Sequence, residues 1–191
     1  MDTREKILKA TWDLLVRSQG GDVRISDIAK KAGISRQALY GHFPARTQLL
    51  IATVRYLDEV YDVEARLAKS RAAATGVERL DAFIDAWGGY IPKIYDIATA
   101  LIAMQRTDEA AAAAWQDRMD AVRHGCRAAV KALKADGRLT PDFTSAQASD
   151  VLWSLLSIET WARLTRECGW PQKRYIATLK AMAQKQLVAQ A

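Results

Sequence analysis

The chain has 191 residues, half of them apolar and 26% charged, enough to bury a sizeable core in one or two domains. Six Trp, six Tyr and three Phe demand burial and exclude disorder as the main state, while ten Gly and four Pro are too few for collagenous or low-complexity chains. The net charge is +6, and residues 1–46 hold nine Lys/Arg against five Asp/Glu, so most of the excess lies in the first quarter. A nucleic-acid-binding head on a near-neutral body would show that asymmetry, as would a solvated basic face.

Alanine occurs 34 times and Asn is absent. Alanine is the best helix former, and Gly, Pro and Asn are what turns need, so composition predicts an all-α protein. Ile7, Ala10 and Leu14, flanked by Leu8, Thr11 and Leu15, predict an amphipathic first helix over about 3–17, ended by Gly20-Gly21-Asp22. A short second helix is expected over about 26–32, with Ile28, Ala29 and Ala32 inward, Lys30 and Lys31 outward and Gly33 as its stop. Ser35 supplies the N-cap of a third helix ending near Gly41. A long fourth helix is expected from Thr47 to about Arg71, carrying Leu50, Val54, Leu57 and Tyr61.

A fifth helix is expected over about 77–88, stopped by Gly88-Gly89, and Pro92 suits the first turn of a sixth. The seventh covers about 108–135 and closes at Asp136-Gly137. Thr144-Ser145-Ala146-Gln147 is a capping box, opening an eighth that runs to Cys168-Gly169. Pro171 opens the last, with Ile176, Leu179, Ala183 and Leu187 on one face. No strand alternation and no internal repeat is present.

The second and third helices carry the functional pattern. Gly33-Ile34-Ser35 is a tight connection, and inward Ile28, Ala29, Ile34 and Leu39 hold the two helices at a steep angle. This is a helix-turn-helix, whose second helix fits a major groove about 12 Å wide. Leu39 and Phe43 point inward, leaving Arg36, Gln37, Ala38 and Tyr40 outward.

The stretch Ile25 to Leu50, ISDIAKKAGISRQALYGHFPARTQLL, resembles the DNA-binding head of the TetR family of bacterial regulators. The resemblance implies a three-helix DNA-binding domain over 1–46. It also implies a six-helix domain over 47–191 that binds a small effector and forms a homodimer. By that resemblance Arg36, Gln37 and Ala38 fall where bases are touched, with Arg suited to guanine and Gln to adenine. Tyr40, His42 and Arg46 fall where phosphates are held, and Ser35 and Ser26 complete the DNA-facing set. Three departures are visible. Arg24 stands where a small hydroxyl residue is common, which passes the cap of the second helix to Ser26. Gly41 replaces a larger side chain. Ala45 and Thr47 replace the usual capping and acidic residues before the fourth helix.

In the body, Val151, Leu155, Ile158 and Ala162 form one apolar stripe of the eighth helix, and Trp153, Leu156 and Leu164 another. A helix apolar on two faces is buried on two sides, within a monomer core or between subunits. The resemblance implies the second, an isologous dimer interface in which Ile176, Leu179 and Ala183 of the last helix take part. Phe83, Trp87, Tyr90, Tyr95, Met104, Trp115, Met119, Cys126 and Trp153 suit an aromatic, mostly apolar effector pocket, and equally suit plain core packing.

No enzyme is expected. His124 and Cys126 diverge on a helix, and no paired-carboxylate spacing, phosphate-cradling glycine loop, metal motif or cofactor motif is present. Cys126 and Cys168 read as buried free thiols. The N-terminal MDTREK lacks a secretory apolar stretch, and the apolar run Ile97–Met104 falls short of the ~20 residues of a membrane span. The expected setting is therefore cytoplasmic. Double-stranded DNA with a palindromic operator, a second copy of the chain and an effector are the expected partners. The competing reading is an all-α interaction module whose helix-turn-helix packs on another protein.

Overall fold

The computed structural model describes residues 2–189 and is all-α, as composition and periodicity predict. The helices are α1 (Thr3–Ser18), α2 (Ile25–Ala32), α3 (Arg36–His42), α4 (Arg46–Val60), α5 (Val63–Arg71), α6 (Gly76–Met104), α7 (Glu109–Ala135), α8 (Ser145–Leu155), α9 (Ile158–Ala162) and α10 (Gln172–Leu187). A π-helical turn, Arg163–Glu167, follows α9. No helix among the described residues is long and apolar enough to cross a membrane.

The chain packs as two compact units, Met1–Tyr61 with Ile94–Met119, and Asp62–Lys93 with Asp120–Ala191. In the first, α1 packs on α2 and α4 through Ile7, Leu8, Ala10, Thr11 and Leu15. Asp2 caps α1 by accepting from the Glu5 N–H at 2.7 Å. Gly20 has φ +95°, and a Cβ there would lie 2.4 Å from Ala103 Cβ, so this turn requires glycine twice over.

Two predicted boundaries differ for identifiable reasons. The helix expected over 47–71 breaks at Tyr61-Asp62, where Asp62 adopts φ +51° and its carboxylate caps α5 at the Ala65 N–H. Asp tolerates this left-handed conformation because its side chain bonds locally. The helix expected over 144–168 keeps its Thr144–Gln147 capping box but breaks after Leu156, where Ser157 caps α9 at the Thr160 N–H, 3.1 Å away.

The helices expected to part at Gly88-Gly89 are instead one helix, α6, running through Pro92. Proline removes the N–H that would serve the Gly88 carbonyl four residues back. The second unit replaces it. Gln172 Nε2 donates to Gly88 O at 2.6 Å, while Gln172 Oε1 accepts from Trp161 Nε1 at 2.8 Å. A Cβ on Gly88 would stand 3.1 Å from Ile176 Cγ1, so the missing side chain lets α10 approach. From there α10 runs along α6 with Lys180 on Asp85 and Gln184 on Asp81.

Candidate nucleic-acid interface

Helices α2 and α3 form the helix-turn-helix. Gly33, at φ +72°, closes α2, and the Ile34 N–H donates to Ala29 O at 3.0 Å. Ser35 accepts from the Ala38 N–H at 3.1 Å and so starts α3, which occupies its hydroxyl oxygen as a cap. Ile28, Ala29, Leu39 and Phe43 are buried, and Ile34 is half-buried. Arg36, Gln37, Ala38, Tyr40 and His42 are exposed. At 42% relative exposure Tyr40 is one of the few large apolar side chains left in solvent. The fold of the head consumes one face of α3 and makes no use of the other.

The start of α2 differs from expectation. Arg24, not Ser26, occupies the N-cap, and no side chain caps the helix. The Asp27 and Ile28 N–H groups donate to Arg24 O, and the exposed Ser26 and Asp27 lie in the first turn. Arg24, Ile25, Ser26, Arg36, Tyr40 and Arg46 line a cleft of about 410 Å³ with Asp22 and Val23. Three arginines and a phenol meet the uncapped start of α2 around this one concavity, and Arg46 is paired with Asp108. Asp22 is occupied by Arg24 at 3.0 Å.

Arg46 is held from both sides. Its Nε and Nη2 donate to Asp108 Oδ2 at 3.0 and 2.7 Å, and its Nη1 donates to Val23 O at 2.6 Å. Asp108 Oδ1 accepts from the N–H groups of Ala110 and Ala111 at 2.9 and 3.2 Å, capping α7. Burial alone would raise the Asp108 carboxyl. The Arg46 hydrogen bond and the two amides outweigh it and hold the group below the ordinary range. Lys31 is paired with Asp13 at 3.4 Å, whereas Lys30 is exposed. Asp108 lies 62 positions from Arg46, and sequence spacing carries no trace of the pair.

Residues 7–53 match the family described as bacterial regulatory proteins, tetR family. The regulator CymR of Pseudomonas putida is 30% identical over 112 residues, covering 58% of this chain and 54% of its own. The nucleoid occlusion factor SlmA of a Marinomonas strain is 33% identical over 58 residues, 30% of this chain and 29% of its own. The matched region thus spans between about a third and about half of these curated relatives.

The N-terminal region of the chain, residues 7–53, is thus similar to the DNA-binding domain of tetR-family regulators.

The fold is similar to that of solved regulators over nearly the full length of the chain. A regulator from Saccharomonospora viridis in complex with choline superposes with TM-score 0.74 at 19% identity, covering 98% of both chains. FadR of Bacillus subtilis in complex with stearoyl-CoA gives 0.76 at 11% identity, covering 95% of this chain and 98% of that one.

Outside the tetR-type head, the aromatic set divides between the packing units. Tyr95, Met104, Trp115 and Met119 belong to the first, and Phe83, Trp87, Tyr90, Cys126 and Trp153 to the second. Within the second unit Phe83, Trp87, Tyr90 and Cys126 are buried and Trp153 is half-buried under Arg123. Trp87 donates to Leu156 O at 2.8 Å, and its ring meets Tyr90 edge-on at 6.0 Å. The Phe83 ring occupies the place a Gly125 side chain would take. Tyr175, which sequence reasoning passed over, is fully buried, and its hydroxyl has no hydrogen-bond partner among the described residues. Cys126 is buried as expected and its thiol is pushed up to about 12 by burial, but Cys168 is exposed, because the turn after α9 carries it outward.

Of the residues expected at a subunit interface, Ile158, Leu179 and Ala183 are buried in their own protomer, and Ile176 packs on Gly88. The stripe on α10 is the inner face of the protomer. Val151, Leu155 and Ala162 are half-exposed, and Met182 is 42% exposed on the outer side of α10.

Proposed function

We propose that the chain is a ligand-responsive transcriptional regulator, a repressor that binds a palindromic operator as a homodimer and leaves it when a small apolar or aromatic effector binds. The observation that carries this reading is the solvent face of α3. Arg36, Gln37, Ala38, Tyr40 and His42 stand exposed on a helix whose other face fixes it, beside a cleft with three arginines. Arg36 and Gln37 read base edges, and Tyr40, His42 and the α2 start hold phosphates that set the register.

In this reading residues 1–46 bind DNA and residues 47–191 bind the effector and the second subunit. Two heads serve a palindrome only when a two-fold axis relates them. With the α10 stripe turned inward, the dimer surface draws on Val151, Leu155, Ala162 and Met182. Phe83, Trp87, Tyr90, Cys126 and Trp153 frame the effector site, and Tyr175 of the same unit carries a buried hydroxyl with no hydrogen-bond partner among the described residues. The choline and stearoyl-CoA complexes of the two structural neighbours support a ligand-binding body. Release from DNA requires the effector to bind the two states with different affinity.

The test is Arg36→Ala combined with Tyr40→Ala. The melting temperature stays within experimental scatter, because neither side chain supports the core. DNA affinity falls at least about tenfold, since one base contact is worth roughly 1–3 kcal/mol. Unchanged DNA binding would remove α3 from the interface and favour a protein-binding role for the head.

A further inference from the structure

Arg46 borders two clefts of the first unit. One is the cleft at the start of α2 that holds Arg36, Tyr40 and Ser26. The other, of about 600 Å³, is lined by Gly20, Gly21, Thr47, Met104, Thr107 and Asp108, among others. The guanidinium spends two N–H groups on a single oxygen of Asp108, which is the engagement a phosphate oxygen of DNA would ask of it.

The carboxylate is the fixed partner of this pair, because its other oxygen is committed to two backbone amides at the start of α7. The arginine is the partner on a long side chain, at the first position of α4, and apart from Asp108 it is tied by its Nη1 to Val23 O at 2.6 Å, a neutral acceptor that leaves its charge unpaired once the carboxylate is gone. The two side chains are 24% and 20% exposed, so a competing anion reaches the pair without unfolding of the head.

We propose that Asp108 is an internal competitor for the DNA backbone: it holds and neutralises Arg46, and so sets the affinity of the head below what its basic residues would otherwise give. This rests on the DNA-binding reading above. Asp108 belongs to the turn between α6 and α7, so a shift of that turn changes the charge the head presents to DNA. Arg46 then contributes to phosphate binding in proportion to its release from Asp108.

The experiment measures binding of the full chain to a random-sequence duplex long enough for two half-sites, across a salt series, for five proteins. These are the wild type, Asp108→Asn, Asp108→Ser, Arg46→Ala and Arg46→Ala with Asp108→Asn. Asn and Ser both keep an acceptor for the α7 cap while removing the charge. Both are expected to bind several-fold more tightly at low salt, with the log–log salt slope steeper by about one per head. Arg46→Ala is expected to bind more weakly with a shallower slope, and Asp108→Asn adds nothing in that background.

Unchanged or weaker binding by both Asp108 variants overturns the proposal. So does an equal gain from Asp108→Asn when Arg46 is absent, which would make the effect one of general charge. If the wild type binds no duplex even at low salt, the DNA-binding reading falls and this one with it. If it binds and the Asp108 variants do not tighten, the competitor role alone falls.

Discussion

Helix α3 has seven residues and buries only Leu39 among them, whereas α6 has 29 residues and commits most of its length to the core. On α3 the fold needs a cap, one leucine and the following Phe43, and the remaining side chains are left over for recognition. On α6 more than half the positions are buried and several have a specific structural task, from the Trp87 hydrogen bond to the Gly88 carbonyl served by Gln172. Where a fold leaves side chains unused, their chemistry points to function. Where it buries them, the same residue types say only that a core exists.

The widest contrast is expected from truncation. Trp87→Ala removes a buried ring and frees the Leu156 carbonyl, and should cost about 3–5 kcal/mol in denaturant unfolding. Arg36→Ala with Tyr40→Ala should cost almost nothing in the same assay. A comparable loss from both would show that the outer face of α3 also supports the fold. Gln172→Ala should cost about 1–3 kcal/mol, because it leaves a buried carbonyl and the Trp161 N–H without this partner.

The reason assigned to that loss is sharpened by adding Pro92→Ala. An alanine at 92 restores the N–H that serves Gly88 O, so Gln172→Ala should cost measurably less in that background. Additive losses would show that Gln172 acts otherwise. Ser35→Ala should cost about 1 kcal/mol through the α3 cap and weaken DNA binding by a similar factor. The smallest effect concerns the thiols. Cys126 is buried with its thiol pushed up to about 12, so at neutral pH a thiol reagent should label Cys168 alone in the folded protein. Labelling of both at equal rates would show that the second unit opens.

The head was legible because its determinants are local. Gly33 in the left-handed region, the Ser35 cap and the spacing of Ile28, Leu39 and Phe43 all act within a few residues. The breaks at Asp62 and Ser157 were locally encoded too, but each lay inside a run whose apolar period continued past it. The continuity of α6 was not legible. Gly88, Gly89 and Pro92 are honest stop signals by local chemistry, and only Gln172, 84 residues from Gly88, reverses them. Arg46 shows the same limit at the candidate site. Its basic charge was readable, but the carboxylate that claims it was not. The inward turn of Leu179 and Ala183 was likewise hidden, because periodicity identifies an apolar face without naming the surface that covers it.

The most direct test of the DNA-binding account is enrichment of random and genomic double-stranded fragments by the purified protein at two salt concentrations. The account predicts an enriched palindrome whose half-sites lie about one helical turn apart, bound more weakly at the higher salt. Salt-sensitive binding with no enriched sequence, or no binding at either salt, would contradict it.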